Sequence, residues 1–79
     1  MTKKAYVLID VEKGQSGSVA AELSGRPGIS ITDVILGPHD VVAIVEAENV
    51  DEIVRIVRDE ITQADGVVRT DTMLVVSGR

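Results

Sequence analysis

Gly28-Ile29-Ser30-Ile31-Thr32-Asp33-Val34-Ile35-Leu36 returns 38 residues later as Gly66-Val67-Val68-Arg69-Thr70-Asp71-Thr72-Met73-Leu74. Gly, Thr, Asp and Leu coincide, and apolar residues match at the second and eighth positions. Each stretch follows a helical pattern and leads an outgoing strand, so the chain reads as two β-α-β halves that fold alike. The resulting order, β-α-β-β-α-β, is the α+β ferredoxin-like split arrangement, in which both helices cover one face of a four-stranded antiparallel sheet.

Working outward, Ala5-Tyr6-Val7-Leu8-Ile9-Asp10-Val11 is rich in β-branched residues and too short for a helix, which makes it the first strand. Gly14 to Ser18 is a loop whose serines offer caps to a short helix carrying Val19, Ala20 and Leu23. Ser24-Gly25-Arg26-Pro27-Gly28 stops that helix, and Ile29 to Leu36 alternates as the second strand. Gly37-Pro38-His39 is turn chemistry, and a third strand runs from Asp40 to Ala47. Asn49 as cap and Glu52 three residues on announce the second helix. Val50, Ile53, Val54, Val57 and Ile61 form its expected apolar stripe. Asp65-Gly66 closes it, and Val67 to Val76 is the fourth strand. The domain is expected over residues 5–78, with residues 1–4 as an N-terminal tail.

Ala5 to Ile9 and Val41 to Val45 do not alternate; they are apolar toward both faces. The second and fourth strands carry Ser30, Thr32, Arg69, Thr70, Asp71 and Thr72 and read as edges. The sheet centre is therefore expected to be apolar on the side away from the helices as well, and a dry partner must cover it. A second copy of the chain is the economical cover. It also relieves a small domain that has few large side chains to bury.

The composition of the 79 residues excludes several classes. Eight Lys+Arg against 13 Asp+Glu give a charge of −5, which disfavours direct binding of phosphate backbones. With one Tyr and neither Phe nor Trp, a stacking platform for bases cannot be assembled. The absence of cysteine removes disulfides, thiolate metal sites and thiol nucleophiles. No run reaches transmembrane length and the Lys3-Lys4 start is interrupted by Asp10 and Glu12, so a cytoplasmic location is expected. His39 is the single histidine, and Asp40 beside it points to the opposite side of an extended segment. Neither an acid–base dyad nor a metal site follows, and no cofactor is implied. His39 reads as a solvated turn residue, Asp10 as a strand-end carboxylate turned to water, and Arg69 as a candidate ion-pair partner.

Gly28-Ile29 after Pro27, Gly37-Pro38-His39-Asp40 ahead of Val41 to Val45, and Gly66-Val67 leading to Thr70-Asp71-Thr72 together resemble the effector-binding domain of the Lrp/AsnC family, the RAM domain. The family pattern is Pro-Gly-Val before the second strand, Gly-x-aromatic-Asp, a strand, a helix, Gly-Val and Thr-x-Thr. Pro38 fills the variable position here and His39 the aromatic one. The resemblance implies a sandwich that dimerises through its sheets, dimers that assemble into an octamer or similar ring, and a small effector, usually an amino acid, between dimers. By position it makes Gly37, His39 and Asp40 the effector loop. Asp40 would accept from an α-ammonium group or brace the turn, and Thr70 and Thr72 would be hydroxyl contacts.

Members of the family carry a helix-turn-helix domain ahead of this one, whereas the first strand here starts near residue 5. A stand-alone member is expected: an oligomeric amino-acid sensor for transcriptional or metabolic regulation, neither an enzyme nor a direct binder of nucleic acid or membrane. A full-length Lrp/AsnC regulator is a candidate partner. The alternatives are a purely structural or mixed-assembly subunit that modulates such a relative, or an ACT-like regulatory domain. An enzyme of the dimeric α/β-barrel type is disfavoured by the lack of acid–base equipment.

Overall fold

A computed structural model describes residues 2–77. Met1 of the expected tail and Gly78 at the expected end of the domain lie outside the described residues. The elements are β1 (Lys3–Val11), α1 (Ser16–Leu23), β2 (Ile29–Val34), β3 (Val41–Ala47), α2 (Val50–Ile56) continuing into a π turn (Val57–Ile61), and β4 (Val67–Leu74). The order is that of the ferredoxin-like fold, and the sheet runs β2-β3-β1-β4 with every neighbouring pair antiparallel. The two strands without alternation, β1 and β3, occupy the middle.

Residues paired across antiparallel strands share a face, so the register sorts the side chains. Ala5, Val7 and Ile9 of β1 lie opposite Val45, Ala43 and Val41 of β3, and all six are buried toward the helices. Val19, Ala20 and Leu23 of α1 close on this layer, with Ile53, Ile56 and Ile61 from the second helix. Thr32 fastens α1 to the edge strand, its hydroxyl donating to the Ala20 carbonyl at 3.0 Å.

Three local expectations are corrected. No serine caps α1: Gln15 holds the cap position without a side-chain bond, and the Ser18 hydroxyl turns back to the Gln15 carbonyl. Asn49 does cap α2, accepting from the Glu52 amide at 2.8 Å, but the Glu52 carboxylate turns to Arg55 instead of closing a capping box. The apolar stripe is also shifted. Val50 and Val54 are exposed, while Ile56, outside the expected stripe, is buried. Beyond Ile56 the helix passes into the π turn, closed by the Thr62 amide on the Val57 carbonyl at 2.9 Å. A π turn holds an extra residue, which carries Ile61 back onto the face of Ile53 and Ile56, where its exposure is 0%.

On the other side of the sheet, Tyr6 and Leu8 lie opposite Ile44 and Val42, with Ile31 and Met73 flanking from the edge strands. Tyr6, Met73 and Ile31 are 39%, 45% and 48% exposed, and no element among the described residues covers them. Charged residues rim this patch: Lys4 beside Glu46 at one end, Asp10 beside Arg69 at the other, Asp33 and Asp71 along the sides. The Lys4 ammonium stands 5.6 Å from the centre of the Tyr6 ring.

Candidate functional site

The β2–β3 turn is assembled from contacts distant in sequence. The Ile35 amide donates to the Asp40 carbonyl at 2.9 Å, closing the hairpin two residues short of the strand end expected at Leu36. The Asp40 amide then donates to the Ile9 carbonyl at 3.0 Å, and the Asp40 carboxylate accepts from the Val11 amide through Oδ2 at 3.0 Å. Asp40 therefore braces the turn against the end of β1. Its Oδ1 makes no hydrogen bond among the described residues. Gly37 sits at the exposed crest with nothing within 4 Å of where a Cβ would stand.

His39 is not the solvated residue its turn position suggested. It is half-buried, and its Nδ1 lies 2.9 Å from Asp10 Oδ1. Asp10 is likewise not free in water: its second oxygen accepts from Arg69 Nε and Nη2 at 3.2 and 3.1 Å. A strand carboxylate left unpaired is costly, and this one is satisfied from both sides. The hydrogen bond from His39, followed by that from Arg69, holds the Asp10 carboxyl below the usual aspartate range against the opposing pull of desolvation.

A titration consequence follows. With its folded value lowered, ionised Asp10 contributes stability that is fully present above the unfolded value of about 3.9 and is lost as pH falls through the lower folded value. The Asp10→Asn variant should melt below the unsubstituted protein at pH 7, with the gap closing as the solution is acidified below about pH 4. Thermal unfolding of both proteins across that range is the measurement. A gap constant with pH would mean that the ionised form has no preferred partner.

Thr70 and Thr72 do not join this cluster within one chain. They lie opposite Ile9 and Val7, on the helix side of the sheet, whereas Asp10 and His39 meet at the end of the open side. Thr72 instead lines a cleft of about 270 Å3 with Ile53, Val54, Val57, Arg58 and Thr62. Sequence reasoning missed both the Asp10–His39 pair and this cleft. The only cue to the first was a charge inside a central strand, and the second is assembled from the second helix with its π turn and from β4, which lie apart in sequence. Among the described residues no group of three or more His, Cys, Asp and Glu is placed to hold a metal ion, and no helix is long and apolar enough to cross a membrane.

The family model for the Lrp/AsnC ligand binding domain matches residues 4–78. An uncharacterized HTH-type transcriptional regulator of Pyrococcus horikoshii is 25% identical over 73 residues, and one from Pyrococcus abyssi is 26% identical. Each alignment covers 92% of this chain and 46% of the relative, so the chain spans about half the length of the curated relatives it matches. Among solved structures, TTHA0845 from Thermus thermophilus superposes with a TM-score of 0.90 at 27% identity, covering 98% of this chain and 96% of that one. AsnC from E. coli shares the fold with a TM-score of 0.88 at 16% identity, covering 96% of this chain and 52% of that one. A transcriptional regulator from Neisseria meningitidis, solved as a complex with L-Met, shares it with a TM-score of 0.82 at 16% identity, covering 95% and 50%.

Proposed function

The chain belongs to the Lrp/AsnC ligand-binding domain family, and from that premise we propose that it is a regulatory module that binds an amino-acid effector at the Gly37–Asp40 turn and works as a homo-oligomer. The observation that carries the reading is the Asp40 carboxylate, fixed through Oδ2 by the Val11 amide with Oδ1 left over. A carboxylate held in place is prepared to accept from an α-ammonium group without losing further side-chain entropy. Gly37 leaves the crest open for an approaching ligand backbone. The Neisseria regulator solved with L-Met supports an amino acid as the effector class. The names of the Pyrococcus relatives support a role in transcriptional regulation. With an acidic net charge, the module acts on transcription through a partner, a DNA-binding relative in the same assembly.

Assembly begins on the open face of the sheet. Tyr6, Leu8, Val42, Ile44, Ile31 and Met73 form one apolar patch with a charged rim, the pattern of a protein–protein interface. A second copy is its occupant. Dimers then join into an octamer or similar ring that brings Thr70 and Thr72 of one subunit toward the effector turn of another.

A thermal-shift screen of the twenty amino acids tests the sensor. A ligand at a hundredfold excess over its Kd stabilises the folded state by about 2.7 kcal/mol, about 10 °C or more for a domain this small. Asp40→Asn is the informative variant, because an amide oxygen can still accept from Val11 while the charge that meets the ammonium is gone. It should keep the fold and lose the shift. If no amino acid raises the midpoint, the sensor reading fails.

A further inference from the structure

We propose that Asp10 and Arg69 are positioning residues of the effector turn: they hold the His39 ring with Nε2 as its free acceptor, and protonation of that ring weakens amino-acid binding. This role rests on the Gly37–Asp40 turn being the effector site, and it belongs to two residues, on β1 and β4, that lie outside the turn itself. His39 is half-buried, and its one side-chain bond among the described residues runs from Nδ1 to Asp10 Oδ1 at 2.9 Å. The other oxygen of Asp10 accepts from Arg69 Nε and Nη2 at 3.2 and 3.1 Å. Three strands' worth of chain thus meet at one carboxylate, and the turn takes the bearing of its ring from it.

The chemistry of Asp10 decides which ring nitrogen carries the hydrogen. His39 and Arg69 both stabilise its charge and hold the carboxyl below the usual aspartate range, so at neutral pH it is ionised and can only accept. Nδ1 must therefore donate, which leaves neutral His39 with a bare lone pair on Nε2. Nε2 makes no hydrogen bond among the described residues. The turn then offers two acceptors, Nε2 and Asp40 Oδ1, and the donors of an α-ammonium group suit both. Protonation of His39 reverses this. Nε2 becomes a donor, and the imidazolium places a positive charge one residue from the carboxylate that meets the ammonium. Asp10 stays ionised through the histidine range and keeps the ring in place in both forms. The other charges around the ring do not touch it. The Asp40 carboxylate is turned to the Val11 amide, and Asp33 of β2 and Asp71 of β4 stand in the next cross-strand row, beside Val42 and Leu8. Affinity for the effector therefore falls as pH drops through the titration of His39.

Nitrogen NMR of the imidazole in the full chain tests this, together with thermal-shift titrations that use the twenty amino acids as probes. At neutral pH the unsubstituted protein should show a protonated Nδ1 and a bare Nε2. Asp10→Ala should release the ring into a mixture of both tautomers. Arg69→Ala, at a largely exposed side chain whose loss leaves the core intact, should give an intermediate population, and Arg69→Lys should restore the original one. Each amino acid that raises the midpoint at about pH 7.5 should bind about tenfold more weakly at about pH 5.5, on the two sides of the usual histidine range. His39→Gln should remove that pH dependence. Asp10→Ala should weaken binding about threefold at the higher pH, because a ring in the competent form only part of the time lowers the apparent affinity by that fraction. A hydrogen on Nε2 in the unsubstituted protein, a tautomer unchanged in Asp10→Ala, or equal binding at both pH values would each overturn the positioning role while leaving the amino-acid sensor standing. No response to any amino acid at either pH would remove the sensor reading and this role with it.

Discussion

Replacing Leu8 and Ile44 together by aspartate should convert an assembly of at least two chains into a folded species of 8.4 kDa, as read by analytical ultracentrifugation with circular dichroism as the check on folding. Both side chains belong to the open face, Leu8 opposite Val42 and Ile44 opposite Tyr6. Neither is among the buried residues of the helix-side core, so the layer that folds the single chain is untouched. In a dimer closed over this face the substitutions place four carboxylates in a patch that had been drying. Burying a charge without a partner costs several kcal/mol, and like charges facing one another add to it. A specific interface buries about 800 Å2 per partner, a large share of the 5011 Å2 that this chain exposes alone. The effect on assembly is therefore expected to be complete at micromolar concentration. An unsubstituted protein that already sediments as a monomer, or a doubly substituted one that keeps its assembly, would remove the open face as the interface.

The second large effect is on folding. Gly28→Ala should lower stability by about 2–5 kcal/mol, the sum of a left-handed backbone penalty of about 1–2 kcal/mol and an overpacking cost of about 1–3 kcal/mol. Gly28 has φ +85°, and a Cβ built there would overlap Cδ1 of Ile56, itself part of the buried core. The midpoint of thermal unfolding should fall by about 10 °C or more. Gly14→Ala is the matched comparison. Gly14 has φ +79°, but nothing lies within 4 Å of its Cβ position, so only the backbone penalty applies. The difference between the two variants isolates the packing of Ile56. Equal losses at both positions would show that the approach of the second helix to Gly28 contributes nothing.

Gly28 also shows how far a linear reading reaches. Its place before Ile29, after Pro27, marks the entry to β2, and the matching Gly66 marks the entry to β4 with φ +91°. The echo between those two stretches is local and periodic, which is why it is visible without coordinates. That Gly28 also leaves room for Ile56 depends on a helix arriving from 28 residues downstream, and nothing near position 28 encodes it. The candidate site divides in the same way. Gly37 to Asp40 is legible as turn chemistry, but the attachment of Asp40 to the Val11 amide and of His39 to Asp10 joins residues 29 apart. Reading His39 against its sequence neighbours pointed it at water, because its partner is supplied by another strand.

The apolar period of two in the strands, the unbroken apolar runs of β1 and β3, and the caps and breakers between elements were enough to determine the element order, the central pair of strands and the apolar character of both sheet faces. Each of these depends on a residue and its near neighbours, where backbone preference and burial act over a few positions. Only the tertiary structure decided the phase of the second helix, the pairing of Asp10 with His39 and Arg69, and the separation of Thr70 and Thr72 from the turn. Those outcomes depend on strand register and on the extra residue of the π turn, which are selected by the packing of the whole core and not by any segment alone.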